Sequence, residues 1–154
     1  LPMTDFRNIE TLTDTYNSAP LSDFPPLEED PALQMAYTAA AAADDRKGEN
    51  IVILQVGDVS YLADYFVVVT GFSSVQVRAI TRAIQDALET DWNRRPERLE
   101  GQMEGSWVLL DYGEIIVHVF LPETREFYDL EAFWGHANQR LYQPVEAIRD
   151  PQSR

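Results

Sequence analysis

The chain contains no cysteine. That excludes disulfides, thiolate metal sites and cysteine nucleophiles together, and it fits a reducing compartment. There is one lysine, Lys47, and no basic stripe. Non-specific nucleic-acid affinity comes largely from Lys and Arg displacing counterions, so direct, sequence-specific DNA or RNA binding is not expected. No apolar run approaches the roughly 20 residues that span a bilayer. The opening LPMTDFRNIE has neither the basic and apolar regions of a secretory signal nor the arginine-rich, acid-poor character of a transit peptide. No membrane partner is expected, and the expected compartment is the cytoplasm. The phosphate-binding patterns G-x-x-x-x-G-K-[ST] and G-x-G-x-x-G, the G-x-S-x-G nucleophile elbow and ligand clusters with metal-site spacing are also missing. No cofactor and no metal are expected.

What is present is acid. The 154 residues carry a formal net charge of −14. Residues 1–46 hold nine acids and two arginines, and residues 47–138 hold fifteen acids and seven bases. The leader and the body of the chain are therefore both acidic. An acidic surface favours solubility and complements a basic protein partner.

Residues 1–30 contain Pro20, Pro25 and Pro26 and the run Glu28-Glu29-Asp30, without apolar periodicity. They are expected to form an acidic, mostly disordered leader. A helix should follow, with Asp30 as N-cap, Pro31 in the first turn, an alanine-rich body and Gly48 as the stop. Residues 51–56 and 64–70 are β-branched runs that read as strands. Ser73 and Gln76 have the spacing of a capping box. They open a helix to about Trp92, with Val77, Ile80, Ile84, Ala87 and Leu88 as its apolar stripe. A short strand is expected near Arg98–Glu100, two more over 107–111 and 115–121, and a last helix with Phe127, Leu130 and Trp134 on one side. The order is that of an α/β or α+β domain over residues 31–137: a mixed four- to five-stranded sheet covered by helices. Residues 138–154 read as a weakly patterned tail.

Candidate chemistry is sparse. His118 shares a strand face with Ile116 and Phe120 and has no partner in the sequence that would make it a general base. A half-buried imidazole bonded to a backbone carbonyl is the expectation. Asp111 and Glu114 bracket Gly113, three residues apart, and not in the D-x-D or D-x-E alternation that aims two carboxylates at one metal ion. Gly71 and Ser73 open a helix and could face an anion, although the capping box already accounts for the serine. An enzyme reading, a Mg-dependent nucleotidyltransferase, would use Gly71, Ser73, Asp111 and Glu114. Aromatics are more telling. Trp107, Tyr112, Phe127, Tyr128, Phe133 and Trp134 crowd into 28 residues. Phe127 and one tryptophan are expected in the core. The remainder, beside acids, have the composition of a protein-binding patch.

Three segments occur in order and at suitable spacing: DYFVVVTGFSSVQVRAI (64–80), EGSWVLLDYGEIIVHVF (104–120) and REFYDLEAFW (125–134). Together they resemble the Iojap family, the ribosomal silencing factors, over roughly 33–134. The resemblance implies a nucleotidyltransferase-like fold without the catalytic motif, and no enzymatic activity. It implies binding to the large ribosomal subunit through the ribosomal protein L-fourteen, steric exclusion of the small subunit and repression of translation. Organelle relatives imply an alternative, an assembly adaptor that does not silence. Mapped onto this chain, the expected partner-binding residues are Trp107, Leu109, Asp111, Tyr112, Glu114, Tyr128, Glu131 and Trp134. Gly71, Ser73 and Gly113 are expected to serve turns and caps. An exposed apolar face also allows a homodimer off the ribosome.

Overall fold

The computed structural model describes residues 24–57 and 61–144. Helix α1 spans Pro31–Asp45, and the side chain of Asp30 accepts from the N–H groups of Ala32 and Leu33 at its start. Its alanines let it lie close to its neighbours: Ala36, Ala39, Ala40 and Ala43 are completely buried. Strand β1 (Glu49–Gln55) and strand β2 (Tyr65–Thr70) pair antiparallel. Helix α2 runs Ser74–Trp92, with Ser73 Oγ accepting from the N–H of Gln76 at 3.0 Å. The return bond differs from the expected box. Gln76 Oε1 accepts from the N–H of Phe72, while its Nε2 donates to the carbonyls of Arg46 and Lys47. One side chain thus ties the start of α2 to the end of α1.

Strands β3 (Arg98–Glu100), β4 (Trp107–Asp111) and β5 (Ile115–Phe120) follow, then two short helices, α3 (Pro122–Tyr128) and α4 (Leu130–Phe133), and strand β6 (Asn138–Leu141). The sheet order is β3-β4-β5-β2-β1-β6. Only β2 and β5 pair in parallel. The sheet is therefore mixed, as expected, but it has six strands rather than four or five. The sixth, β6, lies in the stretch read as tail. Its sequence Asn-Gln-Arg-Leu carries little strand propensity, and only pairing with β1 makes it a strand.

Alternation divides the strand residues between two faces. Ile53, Val67, Leu110, Val117 and Val119 pack with α1 and α2 into the larger core. Leu54, Phe66, Val68, Ile116 and Phe120 point the other way, where Leu130 of α4 and Trp134 just after it pack against them. Trp107 and Leu109 remain partly exposed on that second face.

The expected leader is ordered at its end. Residues 1–23 lie outside the described residues, but Phe24 is buried. It stacks on Tyr65 at 6.0 Å between ring centroids, with the Arg140 guanidinium 4.3 Å over its ring. The Tyr65 hydroxyl donates to Asp30 at 2.6 Å, so the helix cap and this aromatic contact share one strand residue.

Gly101, with φ +90°, turns the chain from β3 toward β4. A Cβ there would stand 2.0 Å from the carbonyl oxygen of Trp107. Gly101→Ala is expected to destabilise the fold by more than about 1 kcal/mol, since the backbone is left-handed and the space is filled. Urea denaturation checks this; an unchanged midpoint would contradict it.

Candidate functional site

The β4–β5 hairpin carries the two acids that first suggested chemistry. It closes through the N–H of Tyr112 on the carbonyl of Ile115 at 2.9 Å. Gly113 has φ +91° at the first central position, and Glu114 is not among the residues with positive φ. Glycine adopts that left-handed φ without the steric cost that a side chain would bring. Asp111 accepts from the N–H of Gly113 at 2.9 Å and lies 3.6 Å from Arg98. Glu114 accepts two bonds from Arg94, at 2.7 and 2.9 Å, and Arg94 also donates to the Tyr112 carbonyl at 2.6 Å. These hydrogen bonds hold the Glu114 carboxyl below its ordinary range despite partial burial. Each acid has its own cation and its own structural task.

Gly71 and Ser73 sit at the opposite end of the sheet. Tyr65 pairs with Ile115 beside the hairpin turn, and Thr70 pairs with Phe120. Five residues of strand rise separate the two ends by about 17 Å. The four residues grouped in the enzyme reading are not brought together.

Tyr112 corrects a second expectation. Expected with Trp107 among the partner-binding residues, it is instead completely buried, within the core that α1 and α2 share with the sheet. Trp107 and Tyr112 are five positions apart, an odd number, so the strand period sends them to opposite faces. That signal was in the sequence. Burial pushes the phenol up to about 12, and its hydroxyl has no hydrogen-bond partner among the described residues. Tyr112→Phe is therefore expected to leave stability unchanged or to raise it by up to about 1 kcal/mol, because it removes a polar group buried without compensation. A clear loss on thermal denaturation would show that the hydroxyl is satisfied in solution.

His118 is only 4% exposed, more deeply buried than expected, and its partner is a side chain. The Trp107 indole Nε1–H donates to His118 Nδ1 at 3.2 Å. Indole nitrogen only donates, so Nδ1 must accept, and the imidazole is neutral with its proton on Nε2. Burial lowers its pKa to about 3. His118 supports Trp107 from beneath the surface.

Around Trp107 an aromatic face is assembled. Its ring lies 4.9 Å from Phe120 and 4.7 Å from Tyr128. Tyr128 meets Phe127 edge-on, and Trp134 packs edge-on to both Phe66 and Phe133. Phe127 is 79% exposed, Phe133 75% and Tyr128 50%. An open groove of about 560 Å³ runs between Trp107, Phe127 and Tyr128, with Glu104 and Glu123 on its walls.

The exposure of Phe127 overturns its assignment to the core. One continuous helix would have placed Phe127 and Leu130 on one side. Instead the chain breaks at Asp129, which adopts φ 48° and both ends α3 and caps α4. The helical phase resets there, Leu130 turns to the sheet, and Phe127 and Phe133 are left outside. Nothing in the local sequence DLEAF announces a break, since Asp is tolerated rather than required in that conformation. Of the expected partner-binding residues, Trp107, Tyr128 and Trp134 gather on this face, with Leu109 partly exposed on the same side of the sheet. Asp111 and Glu114 are occupied at the turn. Glu131 is directed inward, onto Arg125. No helix among the described residues is long and apolar enough to cross a membrane.

Comparison with known proteins agrees with this architecture. The sequence pattern of the family described as "RsfS: Ribosomal silencing factor during starvation" matches residues 29–154. The ribosomal silencing factor RsfS of Bacillus subtilis is 42% identical over 99 residues, covering 64% of this chain and 83% of that protein. The chloroplastic protein Iojap of Zea mays is 35% identical over 120 residues, covering 78% of this chain and half of the maize protein. A crystal structure of a Chromobacterium violaceum protein superimposes with a TM-score of 0.66 at 33% identity, covering 75% of this chain and 91% of that one. With a family pattern matched over most of its length and a fold shared with a solved relative, the chain belongs to the RsfS family of ribosomal silencing factors.

Proposed function

We propose that this protein is a non-catalytic silencing factor. It docks on the large ribosomal subunit, blocks joining of the small subunit and so represses translation. The partner is a basic ribosomal protein, L-fourteen, and the ribosomes are cytoplasmic. The observation that carries the reading is the aromatic face itself: Trp107, Phe127 and Tyr128 line an open groove walled by Glu104 and Glu123, and exposed Phe133 packs on Trp134. Aromatic anchors are enriched among binding hot spots. Flanking carboxylates favour a partner rich in Lys and Arg and speed its approach. Membership of the RsfS family supports the same conclusion.

The test is co-sedimentation with separated subunits, followed by addition of small subunits. Pelleting with large subunits and loss of the joined ribosome is the expected result. Pelleting with large subunits while joining proceeds would replace silencing with an assembly role. Pelleting with neither would refute the docking.

A further inference from the structure

Arg125 is 8% exposed, in a helix of seven residues followed by one of four. Isolated helices shorter than about 12 residues are marginal in water, so α3 and α4 hold their place only through what they touch. Arg125 donates from Nε and Nη2 to a single oxygen of Glu131, at 3.1 and 2.5 Å, and from Nη1 to Thr70 Oγ1 at 2.9 Å. One guanidinium thus joins α3, α4 and the end of β2. Its backbone is engaged as well: the Arg125 N–H donates to the Leu121 carbonyl, and the Arg125 carbonyl accepts from the N–H of Asp129, where the helix breaks. Phe127 and Tyr128 follow two and three residues later. Any rotation of α3 about Arg125 would swing both rings.

We infer that Arg125, acting through Glu131 and Thr70, is the positioning residue that sets the aromatic face against the sheet, and that Glu131 serves from inside this network rather than as a partner contact. The inference rests on the docking reading for its effect on binding, but the orientation of α3 and α4 is a property of the free protein. Leu130 and Trp134 also pack these helices, but apolar contacts are non-directional. A planar guanidinium with its donors in fixed directions sets an angle. Loss of one partner from a buried ion pair leaves the other uncompensated.

The experiment compares Arg125→Gln, Arg125→Lys and Thr70→Val by amide hydrogen exchange of the free protein and by large-subunit binding. Arg125→Gln is expected to raise exchange over residues 122–134 at least tenfold, leave α1 and α2 protected, and weaken binding at least tenfold. Arg125→Lys keeps a cation for Glu131 and is expected to recover part of both losses, which a generic packing role would not predict. Should Arg125→Gln expose α1 and α2 too, Thr70→Val decides instead. It preserves shape, removes one acceptor and is expected to raise exchange in 122–134 alone. Unchanged exchange over 122–134, or no difference between the glutamine and lysine variants, would overturn the inference. Wild-type protein that fails to pellet with large subunits would refute the docking, and exchange would still decide the role of Arg125.

Discussion

Tyr128→Ala is expected to weaken binding to the large ribosomal subunit by about 30-fold or more, with the fold intact. The magnitude is that of a hot-spot truncation, about 2 kcal/mol or more. Tyr128 is half exposed, so the fold loses little with it. Binding would lose one wall of the groove and the ring that packs against Trp107. Trp107→Ala should lower affinity at least as much but also cost stability, because its ring touches Phe120 and its indole occupies His118. Tyr128→Ala is thus the cleaner variant, with Tyr112→Phe as the control expected to bind like wild type. Titration of labelled protein against purified large subunits checks both. Affinity unchanged by Tyr128→Ala would place the docking surface elsewhere.

The second large effect is on acid stability. In the folded chain His118 titrates near 3, against an ordinary value of 6.5. In the unfolded chain it takes up a proton as pH falls through about 6.5. Between these values the unfolded state binds more protons, so stability falls with pH by about 1.4 kcal/mol per unit. At pH 5 the loss is about 2 kcal/mol. Protonation in place is no escape, because Nδ1 is the acceptor of the Trp107 bond and the cation would be buried. A His118→Phe variant lacks this titration. Glu114 also weakens the fold as pH drops, since its carboxyl is held low by Arg94, but it does so equally in both proteins. Denaturant unfolding at pH 7 and pH 5 should show wild type losing about 2 kcal/mol more than His118→Phe. Equal losses would mean that His118 is solvated or titrates normally.

Much of the framework was legible along the chain, and for local reasons. A cap depends on neighbours a few residues away, so Asp30 and Ser73 marked their helices correctly. Val77, Ile80, Ile84 and Leu88 repeat at helical spacing and are buried together. Ile116, His118 and Phe120 share a face because strand residues alternate. Gly113 was assigned to a turn and occupies one.

What the sequence by itself determined is therefore the periodic skeleton, the acidic charge and the motifs that carry the family resemblance. Tertiary structure alone decided which polar and aromatic groups are free to act. Glu114 is tied to the turn because Arg94, twenty residues earlier, donates to both its oxygens. Glu131 turns inward for Arg125, and Arg125 reaches Thr70 across 55 residues of chain. The break at Asp129 moves Phe127 out of the core, and β6 exists only because β1 offers it an edge. Each of these outcomes depends on the position of a distant partner, and a pairing over long sequence separation leaves no period for local spacing to reveal.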